Sequence, residues 1–538
     1  MTRKEIRFFY PCHLWLKMYH WHSHARSGYK MIDHCRITSV VLLTVSFGCA
    51  IQAQTTATKF ELPKNIPRIL SKLQTHLDQA QKSAKFPGAQ VGFTWIDSNA
   101  SANLPRYYSG SVASGVSDIA HRTALKNSDR LLAGSIGKTF VATVALKLVE
   151  QSQLNLDEKI STWLGNQGWF SRLPNGKDIT MRMLLNHSSG IPNHVELPAF
   201  ERAVFKSASR NIDYAELIAY VLDKKPLFPA GKGYNYADTN YILAGMIIEK
   251  VSGKTLYGLV DELILKPNLL QRTIPSNALV LDEVSNGYYK NEPLIVNGRF
   301  AINPQWEWAG GGFASTSEDL SRWAAMLYSG EILTPKSLDE MLNSTTPGDG
   351  ANYGLGVMIK NSNWGKAYGH DGEWPGYLSE MRYYPKFHLA IAVMVNSDEI
   401  PEVNRFVSSA VDDFAGDIIK EMIGRELSSD QQESIKQLAI SWLNLIDTER
   451  YAESWQKLGS KLKAKYSEST WAPALRPLLS QSGKIKMRAF RSVSFTDEQG
   501  ESVIVEFESS FAKKPNGKEV VTMTWEEGQW RIVGYSIH

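Results

Sequence analysis

The chain has 538 residues, 43% of them apolar and 15 of them tryptophan, with 59 Lys+Arg against 55 Asp+Glu. That length suggests two to four domains, and the composition excludes a collagen-like or wholly disordered chain. Residues 1–53 hold seven Lys/Arg and two Asp/Glu, leaving 52 basic and 53 acidic residues beyond them, so the basic balance belongs to the leader and gives no warrant for nucleic-acid binding.

Residues 1–30 mix aromatic, basic and histidine side chains without a period, and 38–51 is a short, almost uncharged run behind Lys30 and Arg36. This reads as a leader, 1–53, containing a signal peptide cleaved after Ala53, with Met31 as an alternative start. The run is shorter than a membrane-crossing helix, and Gln52, Gln54, Thr55 and Thr56 follow it, so no transmembrane span is expected in the mature chain. All three cysteines, Cys12, Cys35 and Cys49, lie in the leader, which excludes thiol catalysis and a thiolate metal site from the mature chain. Cys49 offers a second reading, lipid anchoring, although Phe47 is large where a lipoprotein site has a small residue. Residues 54–65 read as a linker.

From residue 66 the pattern becomes regular. Ile66, Ile69, Leu70, Leu73, Leu77 and Ala80 recur every three or four residues and predict an amphipathic helix over 66–80; residues 89–95 read as a strand. Helical patterns at 140–150, 214–222 and 241–248 are separated by Gly, Pro, Asn and Ser loops. Residues 389–395 are apolar enough for a central strand, and Val403, Phe406, Val407, Ala410, Val411, Phe414, Ile418 and Met422 form a second helical stripe. These elements predict one α+β domain over 66–427, an antiparallel sheet flanked by terminal helices with a helical lobe inserted, and a cleft between layers. The polar run 428–432 predicts a linker over 428–434. Residues 435–538 read as a small α+β accessory domain, a helix at 435–445 followed by strands at 502–508, 520–525 and 530–535.

Three separated patterns could carry chemistry. In Gly134-Ser135-Ile136-Gly137-Lys138, at the entrance of the 140–150 helix, the i and i+3 positions share a face, so the Ser135 hydroxyl and the Lys138 amine can meet. Ser-x-x-Lys also occurs by chance with a capping serine and a solvent-seeking lysine. Gly137-Lys138-Thr139 imitates a phosphate loop, but Leu132 stands where its first glycine is required. Tyr236-Ala237-Asp238 lies in a loop entering a helix; a phenolate at Tyr236, favoured by the Lys138 cation, could exchange protons with a leaving group. In Gly369-His370-Asp371-Gly372-Glu373 the glycines let a strand edge approach substrate, and His370 offers a donor or proton shuttle. No histidine cluster with a companion carboxylate marks a metal site, and no cofactor is expected.

Taken together, Ser135-x-x-Lys138, Tyr236-x-Asp238 and His370-x-Gly372 resemble, in order and approximate spacing, the serine β-lactamase-related family of class C β-lactamases, D-Ala-D-Ala carboxypeptidases, D-aminopeptidases and esterases. Phe86-Pro87-Gly88-Ala89, the 184–192 stretch around His187, and Gly310-Gly311-Gly312-Phe313 with Asp319 resemble its accessory signatures over roughly 66–425. The resemblance implies a β-lactamase/transpeptidase-like fold, a periplasmic or secreted bacterial protein, Ser135 as acylated nucleophile, Lys138 as its base, Tyr236 as proton shuttle and His370 in a place where many β-lactamases have lysine. It further implies an oxyanion hole from the Ser135 and Glu373 N–H groups, and substrate binding by Asp238, Asp371 and Gly372. Asp238 departs from the family, which usually has asparagine there. An ionised Asp only accepts hydrogen bonds and repels a substrate carboxylate, which disfavours β-lactams. Residues 435–538 resemble a small uncharacterised domain of secreted bacterial proteins, its partner unspecified.

The expected function is a serine hydrolase that forms an acyl-enzyme on small esters, D-amino-acid amides or cell-wall-type, peptidoglycan-derived peptides. A β-lactamase and a catalytically silent envelope peptide-binding protein are the alternatives.

Overall fold

The computed structural model describes residues 66–97, 106–206, 212–289, 292–343, 352–398, 401–423, 427, 429–496, 502–526 and 529–538. The leader, its cleavage site, Cys49 and the 54–65 linker lie outside the described residues. The first periodic segment forms helix Ile66–Ala84, whose buried residues are the expected stripe Ile66, Ile69, Leu73 and Leu77. The last periodic segment of the region 66–427 is helix Pro401–Ile423. Both helices cover one face of a seven-stranded antiparallel sheet and share a core with Val91, Phe93, Ile391 and Val393.

From edge to edge that sheet runs Met358–Ser362, Gly365–Trp374, Tyr377–Tyr384, Leu389–Val395, Gly88–Ile96, Tyr107–Asp118 and Thr123–Ala124. Its two chain ends meet in the middle, where Ala89 lies opposite Val395 and Trp95 opposite Leu389. Helix Ser317–Tyr328 covers the other face, and it does so closely: a Cβ at Gly92 would stand 2.3 Å from the Ser317 backbone. Covered on both faces, Leu389–Val395 is buried at every position, which is why it reads as an unbroken apolar run. The inserted lobe contributes helices Lys138–Glu150 and Asp238–Ser252. Trp323 ties the nearer one to the sheet by donating from its indole N–H to Thr139 Oγ1 at 2.8 Å.

The segment expected as a linker is different. Residues 429–434 are the opening turns of helix Ser429–Asp447, whose buried Ile435, Ala439, Trp442, Leu443 and Ile446 recur at helical spacing. Polar residues are favoured at helix starts, so a polar run can mark a beginning as readily as a gap. The helix packs on a four-stranded antiparallel sheet in chain order, Ile485–Phe495, Ser502–Phe511, Gly517–Glu526 and Gln529–Ile537. In strand Ser502–Phe511 successive residues face opposite ways. Val503, Val505 and Phe507 join the core of their own domain, while Ile504, with Val520, joins the cluster that contains Val411, Ala415 and Ile418 of helix Pro401–Ile423. Lys518 bridges the same seam, 3.3 Å from Asp413 and 2.8 Å from Glu506.

Candidate active site

Ser135 sits in a tight turn, Gly134–Gly137, that runs straight into helix Lys138–Glu150. The turn lies against strand Gly365–Trp374 so closely that only glycines fit. Gly134 has φ +54°, and a Cβ there would stand 2.5 Å from the Glu373 nitrogen; one at Gly372 would stand 2.0 Å from the Ala133 carbonyl oxygen and 2.3 Å from Ser379 Oγ. The Glu373 backbone is therefore held beside the Ser135 turn. Gly372→Ala is expected to push the strand away from that turn. A displacement of this kind should slow acylation of Ser135 roughly tenfold or more, because misplacement on the scale of 1 Å costs up to about a hundredfold in rate. Time-resolved labelling with a serine-directed probe checks it, and a parental labelling rate in the variant would contradict it.

Lys138 is the first residue of its helix and is completely buried. Its Nζ donates to Ser135 Oγ at 2.8 Å, to Asp238 Oδ1 at 2.5 Å and to the Gly310 carbonyl at 2.5 Å. Three acceptors match the three hydrogens of an ammonium. Tyr236 lies with its ring 4.8 Å from the same nitrogen, a cation–π distance. Asp238 is the first residue of helix Asp238–Ser252, and its own N–H donates to Asn193 Oδ1 at 3.0 Å.

The phenolate expected at Tyr236 is not favoured. Burial pushes its pKa well above the usual tyrosine range, the Asp238 charge adds to that, and the weak hydrogen bond with the neighbouring Ser135 hydroxyl only partly opposes it. The hydroxyl makes no well-formed hydrogen bond and is sheltered from solvent. Tyr236 is thus a neutral phenol beside Ser135.

His370 also differs from its expected part. Its Nδ1 lies 2.5 Å from the Asp371 carbonyl oxygen, so that nitrogen carries the proton, and Nε2 accepts from the Tyr353 hydroxyl at 2.8 Å. Burial, with Lys138 and Arg382 nearby, takes its pKa down to about 3, so the ring is neutral. Both nitrogens are committed, and His370 acts here by orienting Tyr353, not as a free shuttle. Asp371, expected to bind substrate, occupies the opposite face of the strand from His370 and Gly372. There it pairs with Lys360 at 3.1 Å and with the buried Arg382, beneath helix Pro401–Ile423. It does not join the Ser135 site because strand alternation turns it away.

Three further neighbours complete the surroundings of the site. His187 accepts the Ala237 N–H and the Asn240 amide at its Nδ1, both at 3.2 Å, and its ring lies 4.2 Å from that of Tyr236, so it fixes the backbone between Tyr236 and Asp238. Tyr353 lies 4.8 Å from His187 and 6.0 Å from Tyr236, ring to ring. Glu307 sits behind the Gly310–Gly312 turn, and burial raises its pKa to about 8 against the pull of Lys138. His187 belongs to the stretch singled out in the sequence, but a lone tyrosine or glutamate gives no such signal.

Residues 73–412 match the family described as Beta-lactamase, and residues 438–535 match a second, described as Protein of unknown function (DUF4019). Penicillin-binding protein 4* of Bacillus subtilis is 23% identical over 313 residues, covering 55% of this chain and 67% of that protein. The putative penicillin-binding protein PbpX of the same organism is 25% identical over 244 residues, 45% of this chain and 56% of that protein, so the match spans little more than half of that relative. Among solved structures, a D-stereospecific amidohydrolase from Streptomyces sp. is 28% identical with a TM-score of 0.53, covering 63% of this chain and 98% of that one. A D-amino acid amidase from Ochrobactrum anthropi SV3 shares the fold at 22% identity, with a TM-score of 0.54 over 66% of this chain and 98% of its own.

Proposed function

Because the chain belongs to the beta-lactamase family, whose fold and serine-hydrolase character it shares, we propose that it cleaves small esters, D-amino-acid amides or cell-wall-type peptides through an acyl-enzyme on Ser135. The observation that carries this reading is the single nitrogen of Lys138, held between Ser135 Oγ at 2.8 Å and Asp238 Oδ1 at 2.5 Å. Loss of one ammonium proton to solvent as substrate binds leaves Lys138 a neutral amine, which takes the Ser135 proton as Oγ attacks the carbonyl carbon, while the Asp238 carboxylate balances the ammonium that re-forms. The developing oxyanion is received by the Ser135 and Glu373 N–H groups. Tyr236 then gives its phenolic proton to the departing alcohol or amine and recovers one from Lys138, and water releases the acyl group by the reverse relay. Export by way of the leader belongs to the same proposal; among the described residues no helix is long and apolar enough to cross a membrane. Intact-mass analysis after incubation with a fluorophosphonate tests the reading: one adduct on Ser135 is expected, and a protein of unchanged mass would favour the silent peptide-binding alternative.

Asp238 argues for amides and esters over β-lactams. Facing the acylamino carbonyl of a β-lactam, a carboxylate has no hydrogen to donate, and an unsatisfied buried acceptor costs about 1–3 kcal/mol. Asp238→Asn is therefore expected to raise second-order nitrocefin acylation by about 5- to 150-fold. Efficient nitrocefin turnover by the parent, unchanged in D238N, would move the protein toward the β-lactamases.

A further inference from the structure

Glu307 is a sheltered acid near Lys138 that the relay above does not use. It immediately precedes the one-turn helix Trp308–Gly310, and its carbonyl accepts the Gly310 N–H at 2.7 Å. The far end of that turn is the Gly310 carbonyl, which receives Lys138 Nζ at 2.5 Å. Residues 310–312 press against the back of the Ser135 turn: a Cβ at Gly137 would stand 2.5 Å from the Gly311 carbonyl oxygen, and one at Gly311 would stand 2.4 Å from the Gly134 carbonyl oxygen. The segment is also strained. Trp308 takes φ +37°, a left-handed backbone that a bulky residue rarely adopts, and its ring stacks on that of Tyr214 at 3.7 Å.

The Glu307 carboxyl lies behind this turn. A Cβ on Gly311 would stand 2.5 Å from Glu307 Oε1 as well as 2.4 Å from the Gly134 oxygen, so no more than the sum of those distances separates the two oxygens. Oε2 is sheltered from solvent and has no hydrogen-bond partner among the described residues. Lys138 has no hydrogen left for it, since all three are committed to Ser135 Oγ, Asp238 Oδ1 and the Gly310 carbonyl. A carboxylate in this place is a sheltered charge facing a carbonyl oxygen, with no hydrogen between them; a carboxylic acid brings that hydrogen. Among the described residues, the charged and titratable groups that bear on it are Lys138, Asp238 and Tyr257. The Tyr257 hydroxyl is likewise sheltered and unpartnered, and would stand 2.5 Å from a Cβ on Gly312. Burial, helped by Asp238, outweighs the pull of Lys138 and takes the Glu307 pKa up to about 8, in agreement with the geometry.

We propose that Glu307 is a positioning residue of the acyl-transfer reaction and works as an uncharged acid. Its carboxylic proton is directed at the Gly134 carbonyl, which ties the 310–312 segment to the turn that carries Ser135, and its neutrality leaves Asp238 alone to balance Lys138. The inference rests on the acyl-transfer reading above and adds to it a condition on the base. When Glu307 loses its proton, a second negative charge bears on Lys138 and holds it as an ammonium, which cannot accept the Ser135 proton. The same loss removes the hydrogen between two oxygens and turns the contact with Gly134 into a repulsion. Acylation therefore weakens as pH rises through the range where Glu307 ionises, the direction opposite to that of a lysine base left to itself, which improves as it sheds its proton.

The test follows the second-order rate of fluorophosphonate labelling of Ser135 from about pH 6 to about pH 9.5 in the full-length parent, E307Q and E307L, with melting temperatures alongside. Glutamine keeps the shape of the acid, donates from its amide and cannot ionise. The ratio of parent to E307Q at each pH removes the titration of Lys138 that both share. That ratio is expected to lie within about threefold of unity near about pH 7 and to fall roughly tenfold by about pH 9.5, as a change of about one unit in the lysine's hold on its proton supplies. E307L, with no hydrogen to give, is expected to label roughly tenfold more slowly than E307Q at about pH 7, the scale of a small misplacement of the Ser135 turn. The E307Q ratio decides the matter whether or not E307L folds. Parent and E307Q rates that run parallel over the whole range, or a folded E307L that labels as fast as E307Q, would overturn this inference and leave the hydrolase reading standing. Absence of Ser135 labelling in the parent at every pH would overturn both.

Discussion

Lys138→Met is expected to lower kcat/KM for esters and amides by about 10²–10⁴-fold, and Ser135→Ala to abolish covalent labelling. The effect of Lys138 is large because no second base is in position. Its nitrogen is the only one hydrogen-bonded to Ser135 Oγ among the described residues, His370 has both nitrogens engaged, and Tyr236 holds its proton. Methionine matches the length of the lysine stem but leaves the Asp238 carboxylate and the Gly310 carbonyl without their donor. Lys138→Met combined with Asp238→Asn relieves that stranded charge. If the double variant melts at the parental temperature and is still slow, the loss is one of chemistry and not of folding. Parental turnover in K138M, or labelling of another serine in S135A, would remove the assignment. The two substitutions should not add, because the residues act as one unit.

Removing residues 429–538 is expected to destabilise the catalytic domain by about 3–6 kcal/mol, a large share of the 5–15 kcal/mol typical of a folded domain. The reason is the seam described above. Ile504 and Val520 are 2% exposed and are buried in the same cluster as Val411, Ala415 and Ile418. Each such side chain contributes roughly 1.5–3 kcal/mol when withdrawn from water, and deletion also bares the face of helix Pro401–Ile423. A fall in melting temperature of about 10 °C and exposure of apolar surface to a fluorescent dye are the expected observations. Ile504→Asp offers a finer version. It places a charge in the seam while Val503 and Val505 keep the accessory domain's own core, so it should reproduce most of the loss. A truncated protein that melts with the full-length chain would show that the accessory domain contributes nothing to the stability of its neighbour.

The parts of the fold that could be read in advance are those where one physical demand dominates. Helix Ile66–Ala84 has one buried stripe, and strand Leu389–Val395 is buried on both faces, so their patterns are unambiguous. Strand Ile485–Phe495 was not legible: as an edge strand it exposes Met487 and Phe490, and its bulges break the alternation that marks a strand. Helix Glu468–Ser482 carries Pro473 and Pro477 within it, a composition that argues locally against a helix and is overruled by the burial of Trp471 and Leu475. At the site, the meeting of Ser135 with Lys138 follows from helical spacing alone. The Asp238 contact with Lys138 spans 100 residues, beyond what any local pattern reports. The neutral state of the Tyr236 phenol, against the expected phenolate, depends on burial, which no local pattern reports.

The rings of His187, Tyr236, Tyr353 and His370 hold one another from several sides, with neighbouring centroids 4.2 to 6.1 Å apart. Such side chains have few torsions to fix, and here their ordering is completed when the chain folds, before any substrate arrives. A scaffold of this kind constrains evolutionary change. Exchanging any one ring disturbs several others at once, so the reaction centre is resistant to gradual revision.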